Sequence, residues 1–320
     1  MRATIRAFAL AAACAALAAC SSAPKSTGIV YEVKNKAIEY ARLGDGFMAT
    51  AQYDQALNYY GEALRASSSV DDLVGIAAAR ASMGRAYLAA GMRDEARDAY
   101  EASLESAVMA RSAVAQAVAQ SGVGELLYAE GEREKALAAF EEAAGLVSPG
   151  GKAPADDAAG KALAVALHDR AVAKAALGRE AEALADLDKA KALNEKLKRW
   201  TELAANRYVH ASILAGGDRL EEALSEALGA LEADKWAENG RGIAADLAAA
   251  ASLSARLGRA EDAFAYWKRS FDAAMAVDDA KTVRAALVAL APLAEELGRP
   301  ADKARYAALL DKLDQAQAGK

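Results

Sequence analysis

Residues 40–60 read Tyr-Ala-Arg-Leu-Gly-Asp-Gly-Phe-Met-Ala-Thr-Ala-Gln-Tyr-Asp-Gln-Ala-Leu-Asn-Tyr-Tyr, and this stretch decides the fold. Apolar side chains recur at helical spacing on both sides of Ala51, so it reads as a helix, a tight turn and a second helix. Gly44 and Ala56 are small, which lets the two helices approach, while Phe47 and Tyr60 fill the gaps that small residues leave. The arrangement returns along the chain. The turn position falls on Ala51, Gly91, Gly131, Gly178, Gly217, Gly258 and Gly298, at spacings of 40, 40, 47, 39, 41 and 40. Small helix-internal residues follow at Ala56, Ala96, Ala136, Ala183, Ala223 and Ala263, with Lys303 or Ala304 closing the series. Self-similarity at such a period marks a repeat architecture.

The first unit resembles the tetratricopeptide repeat: Tyr40-x2-Leu43-Gly44-x2-Phe47, then Ala56-x3-Tyr60 and Ala63. The second keeps Met83-Gly84, Tyr87, Ala96 and Tyr100, and the third keeps Val123-Gly124, Leu127, Ala136 and Phe140. The last four depart on their first helices, where Ala171, His210, Ala251 and Ala291 replace the glycine and Lys174 and Ser254 stand in the place of Phe47. The resemblance implies an all-α, right-handed superhelical solenoid of about seven antiparallel helix-turn-helix repeats. The family's usual repeat is about 34 residues with a proline closing the second helix; the proline is missing here, so both helices lengthen. Asp71-Asp72, Asp156-Asp157 and Asp278-Asp279 read as caps of such first helices.

Two irregularities stand out. The long interval contains Gly145-Leu-Val-Ser-Pro-Gly-Gly-Lys-Ala-Pro154, a loop composition that is expected to divide the array. Pro292 lies inside the seventh first helix, where a kink or restart is expected. The expected organisation is repeats one to three over 31–145, a loop over 146–157 and repeats four to seven over 158–316.

Composition agrees. Of 320 residues 90 are alanine and 6 % are aromatic, so a thin core between closely packed helices fits better than a wide one. Alanine favours helix, and five prolines are too few for a loop-rich chain. The net charge of −6 argues against bulk nucleic-acid binding.

The start of the chain has an address of its own. Arg2 and Arg6 precede an apolar stretch from Ala7 to Ala19, the layout of a secretory signal and too short for a stable membrane span. Leu17-Ala18-Ala19-Cys20 resembles the bacterial lipobox, which implies cleavage of residues 1–19 and acylation of Cys20; Cys14, behind Ala11-Ala12-Ala13, lacks the leucine. No aspartate follows Cys20, and the resemblance then implies an outer-membrane address with the body facing the periplasm. Residues 20–30 are expected to form the lipidated cysteine and a flexible tether. Both cysteines lie in the first twenty residues, so the body can form no internal disulfide.

Catalytic chemistry is not legible. His168 and His210 are the only histidines, too few for a metal site of three or four ligands. Gly160-Lys161 superficially resembles a phosphate loop but lacks the preceding strand and the following hydroxyl, and reads as a helix start. Adjacent pairs such as Glu141-Glu142, Glu221-Glu222 and Glu295-Glu296 diverge by about 100° on a helix and cannot share a substrate. No enzyme activity, cofactor or metal is expected.

Binding is better supported. The resemblance implies that first helices line a concave groove, whose partner-binding residues would be Asp45, Arg85 and Glu125, with Met48, Leu88 and Tyr128 three residues later. Their alternating charge is either a self-satisfied ladder or a device that orients a charged partner. Ala41 and Ala81 stand where relatives that grip acidic tails carry polar residues, which favours an amphipathic helix or an extended apolar segment. Trp200 and Trp236 near one edge, and the basic run Lys189, Lys191, Lys196, Lys198 and Arg199, are further candidates for contacts. The expected function is a lipid-anchored scaffold that recruits a periplasmic or outer-membrane protein or peptide. The alternative is a transport accessory lipoprotein with a cavity or pore for a small apolar ligand.

Overall fold

The computed structural model describes residues 27–318; the leader and Cys20 lie outside them. Among the described residues there are fourteen α-helices and no strand. One compact unit, ending at Ser112, pairs α1 (Thr27–Met48) with α2 (Tyr53–Ser69) and α3 (Leu73–Ala89) with α4 (Arg93–Met109). The second unit, from Ala113, contains α5 (Ala113–Ala129) and α6 (Arg133–Val147), α7 (Asp157–Ala176) and α8 (Glu180–Lys196), α9 (Trp200–Gly216) and α10 (Leu220–Trp236). It continues through α11 (Gly240–Arg256) and α12 (Ala260–Ala276) to α13 (Ala280–Glu296) and α14 (Pro300–Ala318). Within each unit a second helix packs on its own first helix and on the next one. The architecture is an all-α helical-repeat solenoid. Because α1 begins at Thr27, the last residues assigned to the tether are helical.

Local backbone chemistry sets the period. After α3, the Gly91 amide donates to Leu88 O at 3.0 Å and the Met92 amide to Tyr87 O at 2.9 Å, the paired bonds of a Schellman turn around one left-handed residue. Left-handed residues at the turns within repeats are Ala51, Gly91, Gly131, Gly178, Asp218, Gly258 and Gly298. The fifth turn therefore centres on Asp218 at φ 60°, and Gly217 at φ −84° caps the helix instead. This corrects the sequence register by one residue, and the spacing becomes 40 throughout apart from the single interval of 47. Turns between repeats use the same device without glycine, at Asp71, Arg111, Lys198, Glu238 and Asp278. Asp71 and Asp278 are thus turn residues rather than caps. Asp72 and Asp279 hold the N-cap position, and the Asp279 carboxylate accepts from the Thr282 amide at 3.2 Å. Asp156 accepts from the Ala159 amide at 2.8 Å, so Gly160 and Lys161 belong to a capped helix start.

Packing follows from a small residue seven positions before each turn and its counterpart sixteen positions on. A Cβ on Gly44 would stand 2.5 Å from Tyr60 Cε1, one on Gly84 2.6 Å from Tyr100 Cε1, and one on Gly124 nearer still to Phe140. The three rings are buried. Fully burying a side chain of this size contributes roughly 2–3 kcal/mol. Later repeats use alanine opposite other side chains: Ala171 clusters with Leu187, and Ala251 with Trp267. With the register corrected, the fifth small residue is the buried Ala211, clustered with Ala227, and not His210.

Both irregularities behave differently from the expectation. Ala143, Ala144 and Val147 before the long loop pack with Ala159, Leu163 and Leu167 after it, so the loop interrupts the spacing and not the core. The boundary between compact units lies at Ser112/Ala113 instead. Pro292 sits within a continuous α13 and does not restart it; the helix gives up one internal hydrogen bond there.

Gly124→Ala is expected to destabilise the fold by about 1–3 kcal/mol, because the new methyl group meets the Phe140 ring. Adding Phe140→Leu, which reproduces the Ala171/Leu187 pairing, should recover a good part of the loss. Urea unfolding of the single and double variants measures both.

Candidate functional site

The sequence-predicted residues divide between the two units. In the first, Asp45 and Arg85 lie on α1 and α3 with Oδ1 and an amino nitrogen 3.6 Å apart, and the Tyr60 hydroxyl donates to the same Oδ1 at 2.7 Å. Burial, then Asp45, pushes the Tyr60 phenol well above its ordinary pKa. The charges of Asp45 and Arg85 are thus engaged within the chain, and an exposed pair of this kind adds only about 0–1 kcal/mol. Met48 is half-buried against Ala56, Tyr60 and Ala86, and Leu88 is half-buried on α3. In the second unit, Glu125 is half-buried on α5, and Tyr128 packs on the cluster of Leu137, Phe140 and Ala173.

A set of residues missed in the sequence is more open. Val118 and Val165 are exposed large apolar side chains thirteen positions before their turns, and Tyr208 and Val288 are exposed ten positions before theirs. Ile38, in the first unit, holds the same position as Val118 and is 67 % exposed. These positions recur on first helices, one helical turn apart along the same face. The signal was present as a fixed offset from the turn, but an apolar residue inside an apolar helix looks like core. Tyr208 was further obscured by the misplaced fifth turn.

Below Tyr208 the second unit has a cleft of about 280 Å³ between α7, α9 and α11, lined in part by His168, Asp234, Asn239 and Asp246. Asn239 donates to Asp234 at 3.0 Å and accepts from the Gly242 amide at 3.2 Å, which holds the start of α11 against the end of α10. Gly242 is required here, since a Cβ would strike the Asp234 carboxylate. Asp234 and Asp246 are buried and line the same cleft. Burial pushes both carboxyls up, and the neighbouring Asp234 charge lifts Asp246 further, to about 8. The pair shares one proton, as two adjacent buried carboxylates cannot both ionise. His168 Nδ1 lies 2.7 Å from Asn206 Oδ1, and burial lowers its pKa, so the ring is neutral at pH 7.

The remaining candidates are mostly engaged. His210 is buried near Asp188 and Glu226, with Nε2 and Nδ1 at 3.4 and 3.7 Å from their carboxylates. Among the described residues no group of three or more potential ligands could hold a metal ion. Lys191 pairs with Glu226 at 2.7 Å and Arg199 with Glu202, which leaves Lys189, Lys196 and Lys198 as the exposed part of the basic run. Trp200 packs beside Leu203 and Ala233, while Trp236 is 73 % exposed with its ring centroid 6.3 Å from that of Trp200. Among the described residues no helix is long and apolar enough to cross a membrane.

The shared proton makes stability depend on pH. Between about pH 4 and 8 the folded chain retains a proton on Asp246 that the unfolded chain has released, so this pair's contribution weakens as pH rises through that window. Asp246→Asn keeps a donor toward Asp234 and is expected to be more stable than the native chain at pH 8, by about 1–3 kcal/mol. The gain should vanish at pH 4. Urea midpoints at pH 4, 6 and 8 measure it.

Residues 37–107 match the tetratricopeptide repeat family. No curated protein matches the chain in sequence. Solved structures share its fold. A Rap protein complexed with Competence and Sporulation Factor superposes with a TM-score of 0.59 at 13 % identity, covering 92 % of this chain and 80 % of that one. Aspartyl phosphate phosphatase F from Bacillus subtilis gives 0.57 at 12 % identity, with 88 % and 70 % covered. A signal transduction ATPase with numerous domains and a tetratricopeptide repeat sensor, from Pyrococcus horikoshii, gives 0.65 at 12 % identity and 91 % coverage; this chain spans 44 % of its length. At these identities the likeness is one of fold. The family match covers residues 37–107, and the neighbours show the helical-repeat fold.

Proposed function

We propose that the chain is a lipid-anchored interaction scaffold that holds a periplasmic or outer-membrane protein near the outer membrane by gripping an apolar segment of it. The observation that carries the binding half is the placement of Val118, Val165, Tyr208 and Val288 at repeated, exposed positions on the first helices of the second unit. A soluble fold gains nothing from exposed apolar side chains at equivalent places, whereas a partner that covers them does. A Rap protein of the same fold was solved in complex with a factor, which accords with this use of the fold. The anchoring half rests on Leu17-Ala18-Ala19-Cys20 and the apolar stretch before it. Attachment to a membrane would raise the local concentration of any captured protein.

Two measurements test the two halves separately. Val165→Asp with Tyr208→Asp is expected to reduce capture of partners crosslinked in the intact envelope at least tenfold, with the thermal transition unchanged. Asp45→Arg with Arg85→Asp should leave capture within twofold, because those charges are engaged with each other and with Tyr60. Undiminished capture by the first double variant would overturn the groove reading. For the anchor, Cys20→Ser should abolish incorporation of labelled fatty acid and release the chain from membranes; persistent labelling would refute acylation at Cys20.

A further inference from the structure

The single departure from the forty-residue period builds a pocket. Between Gly131 and Gly178 the interval is 47, and the additional residues enter the loop that joins α6 to α7. This loop has its own structure. The Ser148 hydroxyl donates to Lys152 O at 2.6 Å, the Gly151 amide donates to Ser148 O at 3.0 Å, and Gly150 and Gly151 take φ of 64° and 75°. It stands beside α6, α7 and α8 and borders an open pocket of about 560 Å³, within the range of small-molecule sites. Leu163, Leu167 and Leu193 supply apolar walls, and Pro154 closes the loop side. Leu163 and Leu167 belong to the buried cluster beneath, so these walls are anchored in the core.

Lys152, Arg170 and Lys189 face one carboxylate, Glu141, on a protein of net charge −6. Lys152 and Lys189 are exposed and make no ion pair among the described residues. Arg170 commits Nε and one amino nitrogen to Asp186, at 2.8 and 2.6 Å, which fixes the guanidinium and leaves its second amino nitrogen available. Apolar walls with fixed and mobile cations at the polar end suit one kind of occupant. We propose that this pocket binds a small amphiphile with an unbranched aliphatic body and a single carboxylate head, the body against Leu163 and Leu167 and the head between Lys189, Lys152 and Arg170. The site shares no residue with the first-helix face of the scaffold reading, so either can fail without the other.

Calorimetric titration of the full chain, carrying Cys20→Ser so that no covalent lipid competes, tests it with three probes below their micellar concentrations: decanoate, decanol and decyltrimethylammonium. Decanoate is expected to bind at least tenfold more tightly than decanol, and the cationic probe not to bind. Lys189→Glu, at an exposed position, should weaken decanoate at least tenfold while leaving decanol and the thermal transition unchanged. Equal binding of all three probes, no binding of decanoate, or an unchanged Lys189→Glu variant would overturn the assignment. An apolar pentapeptide with a free C-terminal carboxylate that displaces decanoate at lower concentration would overturn the small-molecule form of it.

Discussion

Within each helix pair the closest approach is fixed by one position on the first helix and one sixteen residues later on the second. Where the first is glycine, an aromatic ring lies flush against its backbone, and there is no space for even one more carbon at Gly44, Gly84 or Gly124. Where the first is alanine, the partner is Leu187, Ala227 or Trp267 in a cluster that neighbouring leucines complete. The constraint is therefore on combined volume and not on residue type. It explains why a chain with few aromatics can close a long series of helix pairs: alanine brings the helices together, and each pair then needs only one or two larger side chains to exclude voids.

A core this thin has little depth in which to hide polar groups, yet the second unit buries several. Lys174 occupies the place held by Phe47 in the first repeat and bonds Asp186 at 2.8 Å, while Arg170 bonds the same carboxylate through two nitrogens. Burial alone would raise the Asp186 carboxyl, but the bonds from Arg170 and Lys174 hold it below the usual range. Such a network seldom stabilises more than an apolar plug would. Its effect is geometric, since the guanidinium that borders the loop pocket is immobilised from behind. The Asp234 and Asp246 pair has a similar position beneath the first-helix cleft, where Asn239 and Gly242 fit one arrangement of α10 against α11.

Helices, pairing and period were legible because each rests on local chemistry: alanine content, helical apolar spacing and a recurrent small residue near the turn. The turns between repeats were not, because Asp71, Arg111, Lys198, Glu238 and Asp278 adopt the left-handed conformation that sequence reading reserves for glycine. Each costs on the order of 1 kcal/mol, offset by the paired bonds of the turn and by the packing on either side. Gly217 misled for the converse reason, since a glycine beside the turn attracted an assignment that belongs to Asp218. At the candidate site, Asp45 and Arg85 lie within ion-pair distance, but their engagement with Tyr60 was hidden in the sequence because it depends on a residue of α2 reaching across the pair. Val165 and Tyr208 were invisible as surface, because exposure is set by which neighbours a repeat has and not by the residue itself.

The loop between α6 and α7 shows why an irregularity can persist in such an array. Every helix in a repeat series is held by its immediate neighbours, so an insertion is tolerated wherever those neighbours still meet. Here they do: Val147 before the loop and Leu163 and Leu167 after it occupy one cluster. Lengthening a loop adds only about 0.6 kcal/mol of closure entropy per doubling. The insertion is therefore nearly free of consequence for the core, and whatever it does must be done at its outer side. On that side the Ser148 hydroxyl holds Lys152 O while Gly150 and Gly151 turn the chain in the left-handed region, so the shape of the insertion bears on the pocket it borders rather than on the helix packing beneath.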